Sequence, residues 1–258
     1  MPASDSRLRF AVRYALRHLL ISLVVALASA ALVYGLLYPQ PWQTMLGVGS
    51  IFVLLLGVDV VCGPLLTLIL ASPRKSLRER WLDFSLVGLV QLAALLYGLH
   101  SLWLARPVVL AFETDRLVIV TAPEVQTDHL PQAPAGLQRL PWWGVQQVGT
   151  RKAAGSDEFM RSVELGLQGI SPAMRPDWWQ PWPAAQAAMN QRAKPITELL
   201  ARRPQDAATL QAAIDKTGLA PAQLRYLPLT SSKTKDWVAL LDEQLHIVGY
   251  APVDGFLD

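Results

Sequence analysis

Three apolar runs occupy the first hundred residues and constrain everything that follows them. They extend from about His18 to Tyr38, from Met45 to Ala71 and from Leu82 to Leu104. A helix rises about 1.5 Å per residue, so each run is long enough to cross roughly 30 Å of hydrocarbon. Lipid offers the backbone no hydrogen-bond partner, which leaves helices as the form such runs take. The chain is therefore expected to be a membrane protein with three N-terminal transmembrane α-helices, followed by a periplasmic α+β domain with antiparallel strands. The expected organisation is a basic cytoplasmic N-terminus over residues 1–17, a three-helix anchor over 18–104 and an outer domain over 105–258.

The basic residues orient the anchor. Arg7, Arg9, Arg13 and Arg17 precede the first run, and Arg74, Lys75, Arg78 and Arg80 separate the second from the third. The link from Pro39 to Thr44 has neither Lys nor Arg. Positive residues stay in the cytoplasm, which puts the N-terminus and the Arg74–Arg80 loop inside and residues from Arg106 onward in the periplasm of a bacterial inner-membrane protein. Residues 1–104 hold 8 basic and 4 acidic side chains, and residues 105–258 hold 15 and 16. The sequence pI of about 9.1 thus reflects topology signals, and the outer domain has no net positive charge with which to hold nucleic acid.

Ala28-Ser29-Ala30 has the small-x-small form of a signal-peptide cleavage site, but the apolar sequence continues through Leu32, Val33, Leu36 and Leu37, which favours an uncleaved anchor. Cys62 is the single cysteine, so no intrachain disulfide is expected. The outer domain must hold itself by its core, and about 150 residues suffice for one.

Within that domain, Val108–Phe112 and Leu117–Thr121 read as strands joined by a hairpin loop, and Pro123–Pro141 as irregular. Ser156 opens a helix, and Ala184–Arg203 reads as a helix kinked or broken at Pro195. Another helix over Asp206–Thr217 closes at Gly218. Leu224–Leu229, Trp237–Leu241 and His246–Tyr250 read as closing strands, with a tight turn at Asp242-Glu243-Gln244. Pro172–Pro183, with four prolines and three tryptophans, reads as a loop.

Asp59 is the sharpest single residue. It sits near the middle of the second run, where an ionised side chain costs several kcal/mol, so it is expected to face another helix. It could hold a proton, hook a partner helix, or fix packing through an internal hydrogen bond. Gln91 in the third run is close to it in depth, whereas Asp83 sits toward the cytoplasmic end. An intramembrane aspartyl protease of the prepilin-peptidase kind would need two neighbouring carboxylates. The depth of Asp83 opposes that reading, as does Gly57-Val58-Asp59 in place of Gly-x-Gly-Asp. Gly63-Pro64 follows Asp59 and should kink its helix and free a carbonyl. Candidate partner-helix contacts are therefore Asp59, Gly63, Pro64 and Gln91. Trp178, Trp179 and Trp182 are the candidate outer-domain contacts, weighed against simple core packing of the indoles. His18, His100, His129 and His246 have no metal-ligand spacing, and no nucleophile elbow, phosphate loop or His-Glu-x-x-His is present. No catalytic residue, metal or cofactor is expected.

Leu56–Ala122 resembles the type IV pilin accessory proteins of the TfpX/TfpZ kind. The likeness rests on Gly57-Val58-Asp59-Val60-Val61-Cys62-Gly63-Pro64-Leu65-Leu66-Thr67-Leu68 and Gln91-Leu92-Ala93-Ala94-Leu95-Leu96-Tyr97-Gly98. It continues through Ala105-Arg106-Pro107-Val108 and Phe112 with Asp115-Arg116-Leu117. The resemblance implies a non-enzymatic accessory factor or chaperone in the inner membrane that supports the stability, assembly or extension of type IV pilin. Its partners would be the cognate major pilin, other inner-membrane pilus assembly components and the lipid bilayer. Pilin N-terminal helices of that family carry a buried glutamate, with which Asp59 or Gln91 would pair.

Two other classes compete. A membrane-anchored periplasmic ligand-binding or sensor module would need a cytoplasmic output, for which the N-terminus and the Arg74–Arg80 loop leave little room. A glycan-cleaving enzyme would need paired carboxylates facing a groove, and Glu113 with Asp115 or Asp157 with Glu158 are the adjacent pairs available.

Overall fold

The computed structural model describes residues 2–256, with side chains from Arg7 to Phe256. The chain divides into two compact units, Met1–Leu104 and Ala105–Asp258.

The first unit is helical. Helix α1 (Pro2–Leu32) runs on into a π-helical turn over Val33–Leu37, and the short α2 (Trp42–Met45) precedes α3 (Val48–Leu70) and α4 (Leu77–Leu104). Arg7–Leu37, Val48–Leu70 and Leu77–Leu104 are long and apolar enough to cross a membrane. In the most apolar stretch of each, less than a fifth of the residues are buried within the chain. Leu20, Val24 and Leu27 of α1, Leu54 and Val58 of α3, and Leu86, Leu89 and Val90 of α4 all point outward. The buried seam of α1 and its π-helical turn instead runs through Ala11, Ser29, Val33 and Leu37. A Cβ added at Gly35 would meet nothing within 4 Å, so no neighbour packs against that glycine. A capping box starts α4: the Ser76 hydroxyl accepts from the Glu79 N–H at 3.2 Å and the Glu79 carboxylate from the Ser76 N–H at 2.8 Å.

The second unit is built on one sheet. Its strands are β1 (Pro107–Glu113), β2 (Arg116–Thr121), β3 (Gln146–Thr150), β4 (Trp179–Pro181), β5 (Lys194–Pro195), β6 (Arg225–Thr230), β7 (Trp237–Leu241) and β8 (Ile247–Ala251). Its helices are α5 (Ser156–Leu167), α6 (Trp182–Arg192), α7 (Ile196–Arg202) and α8 (Ala207–Thr217). The order across the sheet is β4-β3-β1-β2-β6-β7-β8, with β5 alongside β6.

The sheet is mixed, which corrects the expectation of antiparallel strands. The β1–β2 hairpin turns at Thr114, whose φ is 59°, and lies at the centre. The chain returns to each side of this hairpin through long connections containing helical segments, so β3 pairs with β1 and β6 with β2 in parallel. Six of the seven residues of β1 are buried. A strand covered on both faces shows a continuous apolar run rather than alternation, as Val108–Phe112 does.

Two apolar clusters flank the sheet. One gathers Ile196, Leu199, Leu210 and Ile214 of α7 and α8 against Tyr226, Val238 and Leu240. The other gathers Val108, Val118, Val120 and Val148 with Ala173 and Trp179. Gly149 lets α6 approach β3: a Cβ there would stand 2.5 Å from the Ala185 Cβ. Helix α8 ends at Gly218, whose φ of 69° suits the left-handed cap. The expected helix from Ala184 to Arg203 is interrupted, with Lys194-Pro195 extended between α6 and α7.

Candidate functional site

Helices α1 and α4 meet at their two ends. Near the start of α1, the Tyr14 ring stacks on Phe84 at 5.4 Å between centroids, and the Arg80 guanidinium lies 5.4 Å over the Phe10 ring. At the other end, the Tyr38 hydroxyl donates to the Leu102 carbonyl at 2.9 Å. Between these contacts the two helices leave a groove floored by Leu56 and Asp59 of α3. His18, Ser22, Val25 and Ala26 form one wall, and Gly88, Gln91, Leu92 and Leu95 form the other. Its volume is about 130 Å³. That falls short of the roughly 300–1,000 Å³ of small-molecule sites and approaches the ~150 Å³ that accommodates one benzene ring. The groove has the capacity of one inserted side chain.

Two of the four candidate partner-helix residues, Asp59 and Gln91, line this groove; Gly63 and Pro64 do not. The Gln91 amide donates to the Asp59 backbone carbonyl at 2.8 Å and lies within hydrogen-bonding reach of the Asp59 side chain. Gly63 is buried beneath the same amide: a Cβ there would stand 2.7 Å from the Gln91 Cδ. Pro64 lies inside α3 and, lacking an N–H, leaves the carbonyl four residues earlier without its helical donor. The glycine thus gives the glutamine room to reach the α3 backbone. The Gln91 Oε1 atom is buried without a donor among the described residues. Nearer the start of α1, His18 Nδ1 and Thr67 Oγ1 are 2.6 Å apart and tie that helix to α3. Sequence reasoning identified Asp59 and Gln91 from depth alone, but it missed His18 and Ser22, whose signal is their position on the inward-facing seam of α1.

Asp83 is elsewhere engaged, 2.5 Å from Lys75 Nζ, so Asp59 and Asp83 form no carboxylate pair. In the second unit, Asp115 pairs with Arg116 at 2.8 Å, and the Glu113 carboxylate accepts from the Ala173 N–H at 2.8 Å. Glu158 takes two hydrogen bonds from Arg151, at 2.9 and 2.6 Å. With a further donor from the Ala154 N–H, this holds its carboxyl down at about 2. Among the described residues no three of His, Cys, Asp and Glu gather as a metal site.

Two of the three tryptophan candidates are packed inside, which corrects their reading as outer-domain contacts in favour of core packing. Trp178 and Trp179 are 3% and 2% exposed, and Trp182 is half-buried. Trp179 Nε1 donates to the Ala173 carbonyl at 2.8 Å. The guanidinium groups of Arg151 and Arg175 both lie over the Trp178 ring, at 4.9 and 5.3 Å from its centroid. The loop expected over Pro172–Pro183 is wound into two 3₁₀ turns and strand β4, which take the indoles inward. Trp142 and Trp143 are the exposed pair, at 70% and 55%.

A family model described as fimbrial assembly protein FimB matches residues 6–47. The fimbrial assembly protein of serogroup I from Dichelobacter nodosus is 35% identical over 231 residues, covering 88% of this chain and 89% of that protein. The chain belongs to the fimbrial assembly protein family. The serogroup E1 protein of the same organism is 36% identical over 231 residues. The protein of serogroups C1 and C2 is 45% identical over 104 residues, which is 40% of this chain and 79% of its relative. No solved structure matches. Membership agrees with the likeness to type IV pilin accessory proteins carried by the stretch around Asp59, Gly63-Pro64 and Gln91.

Proposed function

We propose that this fimbrial assembly protein is a non-catalytic inner-membrane factor that supports the stability, assembly or extension of type IV pilin. Its first unit is read as a three-helix transmembrane anchor and its second as a periplasmic domain. The relatives' names support a role in fimbrial assembly. The outward-facing leucines and valines of α1, α3 and α4 support insertion in a bilayer, because the chain provides no cover for them. The arginines before α1 and in the 74–80 loop support a cytoplasmic N-terminus.

The observation that carries the reading is the polar-floored groove between α1 and α4. Asp59 and Gln91 lie in otherwise largely apolar walls, and the space beside them takes one side chain. A single-pass partner with a polar residue on its membrane helix would bury it there, where a hydrogen bond replaces an unsatisfied group in hydrocarbon. The cognate major pilin is that partner, with its N-terminal helix in the groove and one of the two facing carboxyls protonated. Gly63 acts indirectly, by leaving room for Gln91 to reach the α3 backbone.

Deletion of the gene in the native host, followed by blotting of total and sheared surface pilin, tests the role. Loss of surface pili restored by complementation is expected. A fall in total pilin would assign the effect to subunit stability, and unchanged total pilin would assign it to assembly or extension. If both pools stayed at wild-type levels, the reading would fail. Asp59→Leu in the complementing gene tests the groove, and wild-type piliation with that variant would remove Asp59 from the mechanism. Lys75→Cys and Ser232→Cys, each made in a Cys62→Ala background and labelled in intact cells with an impermeant maleimide, test orientation. Ser232→Cys alone should react once the outer membrane is opened.

A further inference from the structure

The second unit contains a larger pocket that the proposed role does not use. It lies between the segment following β3, helix α5 and the end of α6, and its volume is about 550 Å³. That is within the roughly 300–1,000 Å³ range of ligand sites. Phe112, Pro172, Trp178 and Ala188 supply apolar lining, while Thr114, Ser156, Ser162 and Gln191 supply hydroxyls and an amide. No carboxylate lines it, whereas Arg151, Lys152 and Arg192 all do. Arg151 is neutralised by its paired bonds to Glu158 and held over Trp178. The side chains of Lys152 and Arg192 have no hydrogen bond or ion pair among the described residues. The pocket therefore has an apolar body and two uncompensated positive charges.

Its rim continues into an apolar surface. Phe159 lines the pocket from α5 and is itself exposed. Met160, Val163 and Leu167 extend the same face of that helix, and Leu167 is 86% exposed. The polar side of α5 carries Asp157, Glu158, Arg161 and Glu164, an acidic balance. Helices that lie on anionic lipid are rich in Lys and Arg on that side, so a bilayer is a poor match for this face.

We infer that this pocket binds an extended protein segment bearing a carboxylate beside an aromatic or aliphatic side chain. The carboxylate meets Lys152 and Arg192, the apolar side chain enters toward Phe112 and Trp178, and the segment continues over the exposed face of α5. Hydroxyl and amide groups in the lining suit a peptide backbone better than a hydrocarbon chain.

The test is selection of random short peptides, displayed on phage, against the full-length protein in nanodiscs. Selected peptides should share an acidic residue adjacent to an aromatic or aliphatic one. Synthesised and labelled, they should bind about tenfold more weakly to Lys152→Glu/Arg192→Glu, since two surface charge pairs together supply about one decade of affinity. Binding should also weaken at high salt. Ala188→Phe, which fills the pocket and leaves its charge unchanged, should abolish binding, with circular dichroism showing that both variants keep the wild-type fold. No enrichment, a consensus lacking the acid, or binding indifferent to these variants would each overturn the inference. So would binding of decanoate in the pocket without any peptide. The inference is independent of the proposed role: normal piliation with peptide binding lost would leave that role intact.

Discussion

The contact between Gly63 and Gln91 makes a sharp prediction. A methyl group at position 63 would stand 2.7 Å from the Gln91 Cδ, too close for any real pair of carbons. The obstacle is the far end of a flexible side chain, so Gln91 would rotate away and the helices would stay in place. What is lost is its 2.8 Å hydrogen bond to the Asp59 carbonyl. Hydrogen bonds between membrane helices average about 0.6 kcal/mol and reach about 1.7 kcal/mol. Alanine also favours helix over glycine by up to about 1 kcal/mol, which masks this loss in the single variant.

A double-mutant cycle removes the masking. In a Gln91→Ala background the amide atoms nearest to position 63 are gone, so Gly63→Ala is expected to express its backbone preference. In wild type the same change also costs the hydrogen bond. The difference is the coupling between the two positions, expected at about 0.6–1.7 kcal/mol. It is read from unfolding of the purified full-length protein in mixed micelles, with helix content followed by circular dichroism. Gly57→Ala is the control, since nothing lies within 4 Å of a Cβ there, and it should show no coupling to Gln91. Additivity of Gly63→Ala and Gln91→Ala to within about 0.3 kcal/mol would refute the reasoning.

Three further outcomes follow for the second unit. Gly149→Ala should destabilise the full-length protein by about 1–3 kcal/mol, because the new methyl meets the Ala185 Cβ, which is fixed to α6; adding Ala185→Gly should recover part of this in denaturant titrations. Tyr226→Phe should leave stability unchanged or raise it, since the buried hydroxyl has no partner among the described residues and burial pushes it up to about 12; a lowered unfolding midpoint would contradict this. Glu158 has a folded pKa of about 2 against an ordinary 4.5, so its stabilising effect is full above about pH 4.5 and is lost as pH falls toward 2; the fall in thermal midpoint over that window should be smaller in Glu158→Gln.

Much of this architecture is legible in the chain because single residues decide it. The three long helices follow from unbroken apolar length, and the end of α8 from Gly218. The β1–β2 hairpin is visible because two apolar runs flank Glu113-Thr114-Asp115. Strand β3, Gln146-Gln147-Val148-Gly149-Thr150, is not: it has one large apolar residue and a glycine whose purpose is the approach of α6. Its parallel pairing with β1 depends on where a long irregular segment returns, which no local pattern encodes. The tryptophans misled for a related reason. Prolines at 172, 176 and 181 signal a break in regular structure, but the first two equally start the 3₁₀ turns and the third ends the short edge strand, and these elements bury Trp178 and Trp179.

The groove shows how far depth and polarity alone can take such a reading. Asp59 and Gln91 stand out because polar groups in apolar helices are costly, and that cost already requires them to face a neighbour. It does not choose between a neighbour within the chain and one outside it. The structure divides the task. The Gln91 N–H is spent on the Asp59 backbone, over Gly63, and fixes α4 against α3. The Asp59 side chain lies on the floor of a space for one side chain, with Ser22 and His18 on the facing wall. Packing within the bundle therefore accounts for Gln91 and Gly63, and in the role proposed above the Asp59 carboxyl, although within reach of the Gln91 amide, is the group offered to a partner helix.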